Sequence, residues 1–354
     1  MTQAVFAIPG DKDRRTGGFI YEARVLRELN EMGCTTMHLQ LPDSFPDPTT
    51  ADMAKALDAL CSVPSDQPII LDGLVFGAID PEGLARVRAP VIAMIHHPLG
   101  LETGLPKARS AFLLQNEAAA LCHVDHILVP SPETARVLCR DFGADAHRIT
   151  VAPPGFDRPV VNRQPADPPL ILSVGLLAPR KGHDVLLSAL GQLSALRWRA
   201  EIVGRAHDPD YAAALHEQAR ALDIDERVTF SGEIETDALT ARFNAASVFA
   251  LATRYEGYGM VLSEAMMYAL PIVSCRVGAV PTTVGKAAIL VPPDNPNALA
   301  DALRRIIQNP RAAERLSQLS ARRSGTLPRW RDTAQLFLST IERIRRAGVA
   351  TKLS

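Results

Sequence analysis

Short apolar runs alternate with helical segments along most of the chain, and this alternation restricts the possible folds more than any other feature. The runs "AVFAI", "TMHLQL", "PIILDG", "PVIAMIH" and "HILVPS" are short, apolar and bounded by turns, as buried strands are. Between the first two runs, Phe19, Ala23, Leu26 and Leu29 repeat at helical spacing. Continuous apolar strands separated by helices are typical of a parallel sheet covered on both faces. The sequence therefore predicts an α/β fold.

A proline-rich stretch interrupts this alternation near the middle of the chain. Residues 153–169 read "PPGFDRPVVNRQPADPP" and show no clear period, which is typical of a linker. The alternation resumes at "LILSVG" (residues 170–175) and continues through "RAEIVG", "RVTFSG", "SVFALAT", "PIVSC" and "AILVPP". The 354 residues exceed the roughly 100–200 of a typical domain. We therefore predict two domains, residues 1–158 and 159–328, with a ligand cleft between them.

Charge and composition exclude several classes of protein. The 38 basic residues are balanced by 39 acidic ones, so a strongly basic nucleic-acid-binding surface is absent. No apolar stretch approaches the ~20 residues that span a bilayer, while peripheral membrane contact stays open. The beginning, "MTQAVFAIPGDKD", lacks the features of a signal peptide. Five scattered cysteines without a C-x-x-C pair indicate reduced thiols in a cytoplasmic protein, not a zinc site or disulfides.

A basic pair, Arg180 and Lys181, follows the strand predicted at residues 170–175 and precedes a predicted helix. An arginine can bind two phosphate oxygens at once, a lysine adds a point charge, and helix N-termini attract anions. The pair therefore suits a phosphate-bearing ligand, and a solvated pair on a surface loop is the alternative. The stretch is not a P-loop, because G-x-x-x-x-G-K-[ST] occurs nowhere in the chain.

Two glutamates frame the stretch "RYEGYGMVLSEAMMYALP", residues 254–271. Glu264 lies in a short, largely apolar helical segment, and an ionised side chain is seldom buried without a partner. Glu256 precedes a glycine-rich turn. A carboxylate only accepts hydrogen bonds, so both side chains suit hydroxyl groups and repel phosphate. The alternative is that both are ordinary surface glutamates.

The turn between the glutamates supplies backbone donors. Glycines let the main chain approach a ligand closely, and amides at the start of a helix have no partner within it. Acceptors for hydroxyls, amide donors and a nearby cationic pair together match a nucleotide sugar, with its ribose, diphosphate and hexose. The residues that form this turn are Gly257, Tyr258, Gly259, Met260 and Val261.

Two further polar features lie in the first half of the chain. His96 and His97 come directly after the run "PVIAMI", and the alternative to a functional role is a structural histidine. Metal binding by the pair is disfavoured, because neighbours on an extended segment point to opposite sides. Gly17 and Gly18 precede the first helix, where a double glycine lets the backbone cradle a phosphate. A flexible turn is the alternative there.

In this order, the double glycine, the histidine after a strand, "PRKG" and "YEGYGMVLSEAMMYALPIVS" resemble the retaining glycosyltransferases of family 4. The most specific match is a glutamate, seven intervening residues and a second glutamate around an E-G-[FY]-G turn. The resemblance covers nearly the whole chain and implies the GT-B fold, two facing Rossmann-like domains with a cleft between them. It also implies that the terminal helix, residues 329–354, crosses back to the N-terminal domain.

The resemblance implies transfer of a hexose from a UDP- or GDP-sugar to an acceptor hydroxyl with retention, without an essential metal or other cofactor. Arg180 and Lys181 would bind the diphosphate and stabilise the leaving group. Glu264 would accept hydrogen bonds from the ribose hydroxyls, and Glu256 would bind the donor sugar. The amides around Gly259 would contact sugar and phosphate.

In the N-terminal domain, which the resemblance makes the acceptor-binding one, His96 would lie near the 6-position of the sugar and the reacting centre. His97 is the alternative for this role. The amides of Gly17 and Gly18 would contact the phosphate. No residue names the acceptor, so a saccharide, a lipid and a small metabolite all stay open.

Two other functions compete with this interpretation. An epimerase or hydrolase on the same fold would convert or hydrolyse the nucleotide sugar without any acceptor. A non-catalytic glycosyltransferase-like binding protein would have lost active-site residues. The chain argues against this second alternative because it retains the full set of candidates, His96, Arg180, Lys181, Glu256 and Glu264.

Overall fold

A computed structural model describes the main chain of residues 3–353 and the side chains as far as residue 347. The chain forms two compact units. One contains the chain up to Asp157 together with the segment from Pro328 onward, and the other contains Arg158–Leu327. The proline-rich stretch 153–169 contains no helix or strand, and the first change between units falls inside it.

The first unit is built on a six-stranded parallel sheet with the strand order β2-β1-β3-β4-β5-β6. Every residue of β1 is buried, as the continuous apolar run predicts for a strand covered on both faces. The strands are β1 Ala4–Pro9, β2 Thr36–Leu41, β3 Ile69–Asp72, β4 Val91–Met94, β5 His126–Val129 and β6 Ile149–Val151.

Among the described residues, seven α-helices belong to the first unit, and the last of them follows the second unit in the chain. That helix packs on the first one, where the ring of Tyr21 lies 6.0 Å from the rings of both Trp330 and Phe337. The helices are α1 Gly17–Glu31, α2 Thr50–Cys61, α3 Gly73–Phe76, α4 Pro81–Leu84, α5 Lys107–Ala120, α6 Pro132–Phe142 and α14 Trp330–Leu353. The return of the terminal helix to the first unit is as the resemblance implied.

The second unit is also built on a six-stranded parallel sheet, with the strand order β12-β11-β10-β7-β8-β9. Trp198 is among its largest fully buried side chains, and the guanidinium of Arg227 lies 3.8 Å from the centre of that ring. The strands are β7 Leu170–Val174, β8 Arg199–Val203, β9 Val228–Gly232, β10 Ala246–Leu251, β11 Ile272–Cys275 and β12 Ala288–Val291.

Helices again connect successive strands in the second unit. Several start with a side-chain cap: Asp208 accepts the amide of Tyr211, and Asn295 accepts that of Ala298. The helices are α7 His183–Gly191, α8 Pro209–Ala221, α9 Thr236–Ala245, α10 Met260–Met267, α11 Val280–Val284, α12 Pro296–Gln308 and α13 Pro310–Ser324. Among the described residues there is no helix whose length and hydropathy would suit a membrane span.

The predicted α/β class is confirmed, with two parallel sheets that carry helices. The predicted strands are all present, with ends that differ by one or two residues. Strand β6 was missed, because its three residues at the edge of the sheet are only partly buried and form no recognisable apolar run. The polar residues that matter below follow the carboxyl ends of β3, β4, β7 and β10, where ligands bind in parallel sheets.

Candidate functional site

The basic pair of the second unit lies on a tight turn, Pro179–Lys181, that follows β7. Gly182 ends this turn with φ +64°, a left-handed conformation that glycine tolerates best. A Cβ atom at Gly182 would lie only 2.1 Å from the carbonyl oxygen of Ala252, so a glycine is needed for packing as well. The turn therefore sits directly against the chain that leaves β10.

Hydrogen bonds fasten the basic turn to the start of the second motif. The amide of Arg254 donates to the carbonyl of Arg180 at 2.8 Å, and the hydroxyl of Thr253 donates to the same carbonyl at 3.1 Å. The guanidinium of Arg180 in turn donates to the carbonyl of Tyr255 at 3.2 Å. The two motifs, far apart in sequence, are thus neighbours in the structure.

Glu256 is paired with the basic residues. Its Oε1 atom lies 2.6 Å from Lys181 Nζ, 3.8 Å from Arg180 Nη1 and 3.1 Å from the hydroxyl oxygen of Thr253. Burial alone would raise the pKa of Glu256, but the charges of Lys181 and Arg180 outweigh it and hold this pKa below its usual range. Glu256 is therefore an ionised, buried member of the cationic site and not a surface glutamate.

The glycine-rich turn is held in place by its main chain. Gly259 precedes α10 with φ +83°, and no side chain caps this helix. The carbonyl of Glu256 accepts the amide of Ala279 at 2.9 Å, and a Cβ atom on Gly278 would lie 2.3 Å from that same oxygen. The first turn of α10, which begins with Met260 and Val261, can therefore receive a ligand oxygen in place of a side-chain cap.

Glu264 differs from Glu256 in its surroundings. Its carboxylate forms no hydrogen bond or ion pair within the part of the chain that the structure describes. The residue is partly exposed on α10, whose neighbouring positions are apolar, and burial raises its pKa to about 7. An unpartnered carboxylate at this position suits a ligand hydroxyl, which donates to it.

Arg254 was missed by the sequence analysis, although it begins the motif. Its guanidinium binds both carboxylate oxygens of Asp184, at 2.7 and 3.0 Å, and contacts the carbonyl of Pro179. It also donates to Asp294 at 2.7 Å, while the hydroxyl of Tyr211 donates to Asp184 at 2.7 Å. Arg254 thus links the basic turn to Asp184 and Asp294. In the sequence, the one indication of this role was its position two residues before Glu256.

In the first unit, His96 follows β4 and contacts the start of α1. Its Nε2 atom lies 3.1 Å from Glu22 Oε1, and Tyr21 packs edge-on at 5.6 Å between ring centres. A Cβ atom on Gly18 would lie 3.4 Å from His96 Nε2, an ordinary contact distance, so Gly18 adjoins the ring. Gly17 begins α1, which has no side-chain cap.

Glu22 and Asp72 complete this cluster. They and His96 each offer one ligand atom, all within 4.8 Å of one another, so these three could hold a metal ion. Neither carboxyl was predicted from the sequence as a site residue. Glu22 lies on the apolar face of α1 between Phe19 and Leu26, and Asp72 ends β3, which was the available signal.

The alternative histidine has a different partner. His97 Nε2 lies 3.1 Å from Glu102 Oε2, on the segment that connects β4 to α5. Both side chains of this pair are partly exposed, in contrast to the buried carboxyls near His96. The two adjacent histidines thus face separate carboxylates.

Two family models match adjoining parts of the chain. "Glycosyltransferase Family 4" matches residues 76–158, and "Glycosyl transferases group 1" matches residues 157–323. Among solved structures, sucrose-phosphate synthase from Thermosynechococcus elongatus covers 97% of this chain and all of its own, with a TM-score of 0.81 and 21% identity. Anabaena HepE in complex with UDP and glucose has a TM-score of 0.76, 18% identity and the same coverage.

Curated relatives agree with these matches. Mannosylfructose-phosphate synthase of Agrobacterium fabrum is 26% identical over 70% of this chain and 62% of its own length. D-inositol 3-phosphate glycosyltransferase of Kineococcus radiotolerans is 30% identical over 63% of this chain and 57% of its own length. The matched region thus spans less than two thirds of either relative. The two family models together extend without a gap from residue 76 to residue 323, so this part of the chain is similar to the glycosyltransferases that the models describe.

Proposed function

We propose that the protein is a retaining hexosyltransferase that moves a sugar from a UDP- or GDP-sugar to an acceptor hydroxyl. The observation that carries this proposal is a set in the second unit: Arg180, Lys181 and Glu256, together with Glu264, which has no partner in the described part of the chain. The family match supports it, and so does the solved complex of the structural neighbour Anabaena HepE with UDP-glucose.

The ion pair between Lys181 and Glu256 can open when the donor binds. Without a ligand, Lys181 is bound to Glu256, so the two cations and one anion carry a net charge of about +1. A diphosphate competes with Glu256 for Lys181, while Arg180 can bind two phosphate oxygens. The released carboxylate of Glu256 then accepts hydrogen bonds from the sugar hydroxyls.

The same cations act on the chemical step. As the bond between sugar and phosphate breaks, negative charge grows on the diphosphate, and preorganised positive groups stabilise it. Because the chain supplies these groups itself, we propose that no metal is essential and that transfer continues in the presence of a chelator. The departing diphosphate takes the acceptor proton, and His96 contacts the transferred sugar, as the family resemblance implies.

The acceptor class is suggested by the names of the relatives. Mannosylfructose-phosphate synthase, D-inositol 3-phosphate glycosyltransferase and sucrose-phosphate synthase all carry a sugar or polyol phosphate in their names. Phosphorylated sugars and polyols are therefore the first acceptors to test. The five free thiols suit a reducing compartment, and we propose that the protein acts in the cytoplasm.

Thermal unfolding with UDP-, GDP- and ADP-sugars, followed by turnover with an acceptor panel, tests this function. We expect one donor to raise the melting temperature and to be consumed fast only with an acceptor. Full-rate conversion without an acceptor would instead support an epimerase or hydrolase. Binding without turnover in any combination would support a non-catalytic binding protein, and no binding of any donor would contradict the proposal.

A further inference from the structure

Two buried carboxyls adjoin His96, and neither belongs to the donor site. Glu22 is fully buried, Asp72 is 3% exposed, and Glu22 Oε1 lies 3.1 Å from His96 Nε2. Asp72 caps α3 by accepting the amide of Leu74 at 2.9 Å. Within the described residues, Glu22 Oε2 is buried without a hydrogen-bond partner. The cluster therefore contains an unsatisfied carboxylate oxygen close to a second carboxyl.

The charged neighbours of Glu22, Asp72 and His96 are the other members of this cluster. In the described part of the chain no lysine or arginine pairs with either carboxyl. Two neighbouring buried carboxylates cannot both ionise without a counter-charge. Burial raises the pKa of Glu22 to about 7 and that of Asp72 well above its usual range, and it lowers the pKa of His96.

These observations lead to an assignment of the imidazole tautomer. We propose that Glu22 is a positioning residue for His96: its buried carboxyl, 3.1 Å from Nε2, accepts the Nε2–H of the imidazole and leaves Nδ1 as the acceptor of the ring. The inference rests on the proposed function, which places His96 at the transferred sugar. A sugar hydroxyl can then donate to Nδ1.

The tautomer matters because it decides which ring nitrogen is left for a ligand. Tyr21 packs edge-on against the ring at 5.6 Å between ring centres. While Nε2 donates to Glu22, the nitrogen left for a ligand is Nδ1. The proton position set by Glu22 therefore decides whether the sugar meets an acceptor or a donor.

The spectroscopic test uses the full chain labelled with 15N-histidine, and the His96 signal is identified by its loss in His96→Gln. At pH 7.5 we expect the Nε2–H tautomer in the wild type and a shift toward Nδ1–H in Glu22→Gln, whose amide can donate to Nε2. A wild-type Nδ1–H tautomer would overturn the inference. The tautomer is measured on the wild type itself, and His96→Gln is needed only to assign the signal. Asp72→Asn provides a second perturbation of the same signal.

Kinetics give an independent readout. We expect Glu22→Gln to lower kcat by roughly 10-fold to 100-fold, the range typical of groups that orient metal-binding histidines, with the KM for the donor nearly unchanged. Glu102→Gln is the matched control, because Glu102 contacts His97 at the same 3.1 Å.

The remaining outcomes distinguish a failure of this inference from a failure of the proposed function. If the wild type transfers sugar and Glu22→Gln equals it in kcat, the inference fails and the proposed function stands. If the wild type is inactive with every donor, the proposed function fails, and the tautomer measurement still decides the inference. Stoichiometric binding of Mn²⁺ or Zn²⁺ by chelator-treated protein, lost in Glu22→Gln, would put a cation where we place the proton and overturn it.

Discussion

At the scale of single residues, the two glutamates of the "RYEGYGMVLSEAMMYALP" stretch have opposite electrostatics. Lys181 holds Glu256 ionised, whereas Glu264 has no partner among the described residues and its pKa is raised to about 7. The sequence indicated that both face a ligand, but it could not show that Glu256 is ion-paired and that Glu264 is not. The counter-ion of Glu256 lies 75 positions away, and only the fold brings it within 2.6 Å.

The raised pKa of Glu264 predicts a pH dependence of nucleotide binding. A ribose hydroxyl donates best to the ionised carboxylate, so the affinity of the wild type for a free nucleoside diphosphate should rise between pH 6 and pH 8. Glu264→Gln cannot ionise and should bind more weakly without this dependence. Calorimetry on both proteins isolates the effect, because the titration of the ligand phosphate is common to them. Parallel pH profiles would contradict the ribose assignment.

At the scale of elements, the position of the basic pair depends on a turn that is bound from two sides. Gly182 lets the turn lie on the end of β10, and the guanidinium of Arg254 links it to Asp184 on α7 and to Asp294. The sequence indicated the turn and its charges. It could not reveal the role of Arg254, because each of its side-chain partners comes from another part of the chain.

Arg254→Lys tests whether this support positions the donor groups. A lysine replaces the two-pronged contact with Asp184 by a single charge, so the turn loses part of its orientation. We expect the KM for the donor to rise by about 10-fold while the melting temperature falls only slightly. Arg197→Lys is the matched control, since Arg197 forms an exposed pair with Asp167 at 3.3 Å and such pairs contribute little. Equal KM values for the two variants would refute the positioning role.

At the scale of the whole molecule, the alternation of apolar runs and helices was enough to predict two parallel sheets. It was not enough to find β6, whose three residues carry no clear pattern, or the cluster around His96. Glu22 and Asp72 were missed because each occupies a position where the pattern predicts an apolar or structural side chain. A buried carboxyl is recognisable only when its neighbours in space are known.

One buried carboxyl outside the proposed sites predicts how stability depends on pH. Glu117 is fully buried on α5 and accepts the amide of Leu99 at 3.1 Å, and burial raises its pKa to about 8. The folded state thus keeps a proton that the unfolded chain releases, so stability falls as the pH rises toward 8 and levels off above it. Between pH 7 and pH 9 the loss should be about 1.4 kcal/mol.

Each unit contains one tryptophan, which allows the loss of stability of the first unit to be measured separately. Trp330 reports on the first unit once Trp198 of the second unit has been replaced by phenylalanine. In this background, urea unfolding followed by fluorescence should show the decrease between pH 7 and pH 9. The decrease should be largely absent after Glu117→Gln. An equal decrease in both proteins would show that another group binds the proton.

The central claim is that the second unit binds the diphosphate of a nucleotide sugar through Lys181 and its neighbours. Calorimetric titration of the full chain with UDP, GDP and ADP tests it most directly. For the preferred nucleotide, Lys181→Ala should weaken binding by roughly 10-fold to 100-fold, the loss expected for a hydrogen bond to a charged group. Lys286→Ala, an exposed lysine of the same unit, should bind like the wild type. Equal affinity of the wild type and Lys181→Ala for the preferred nucleotide would contradict the claim.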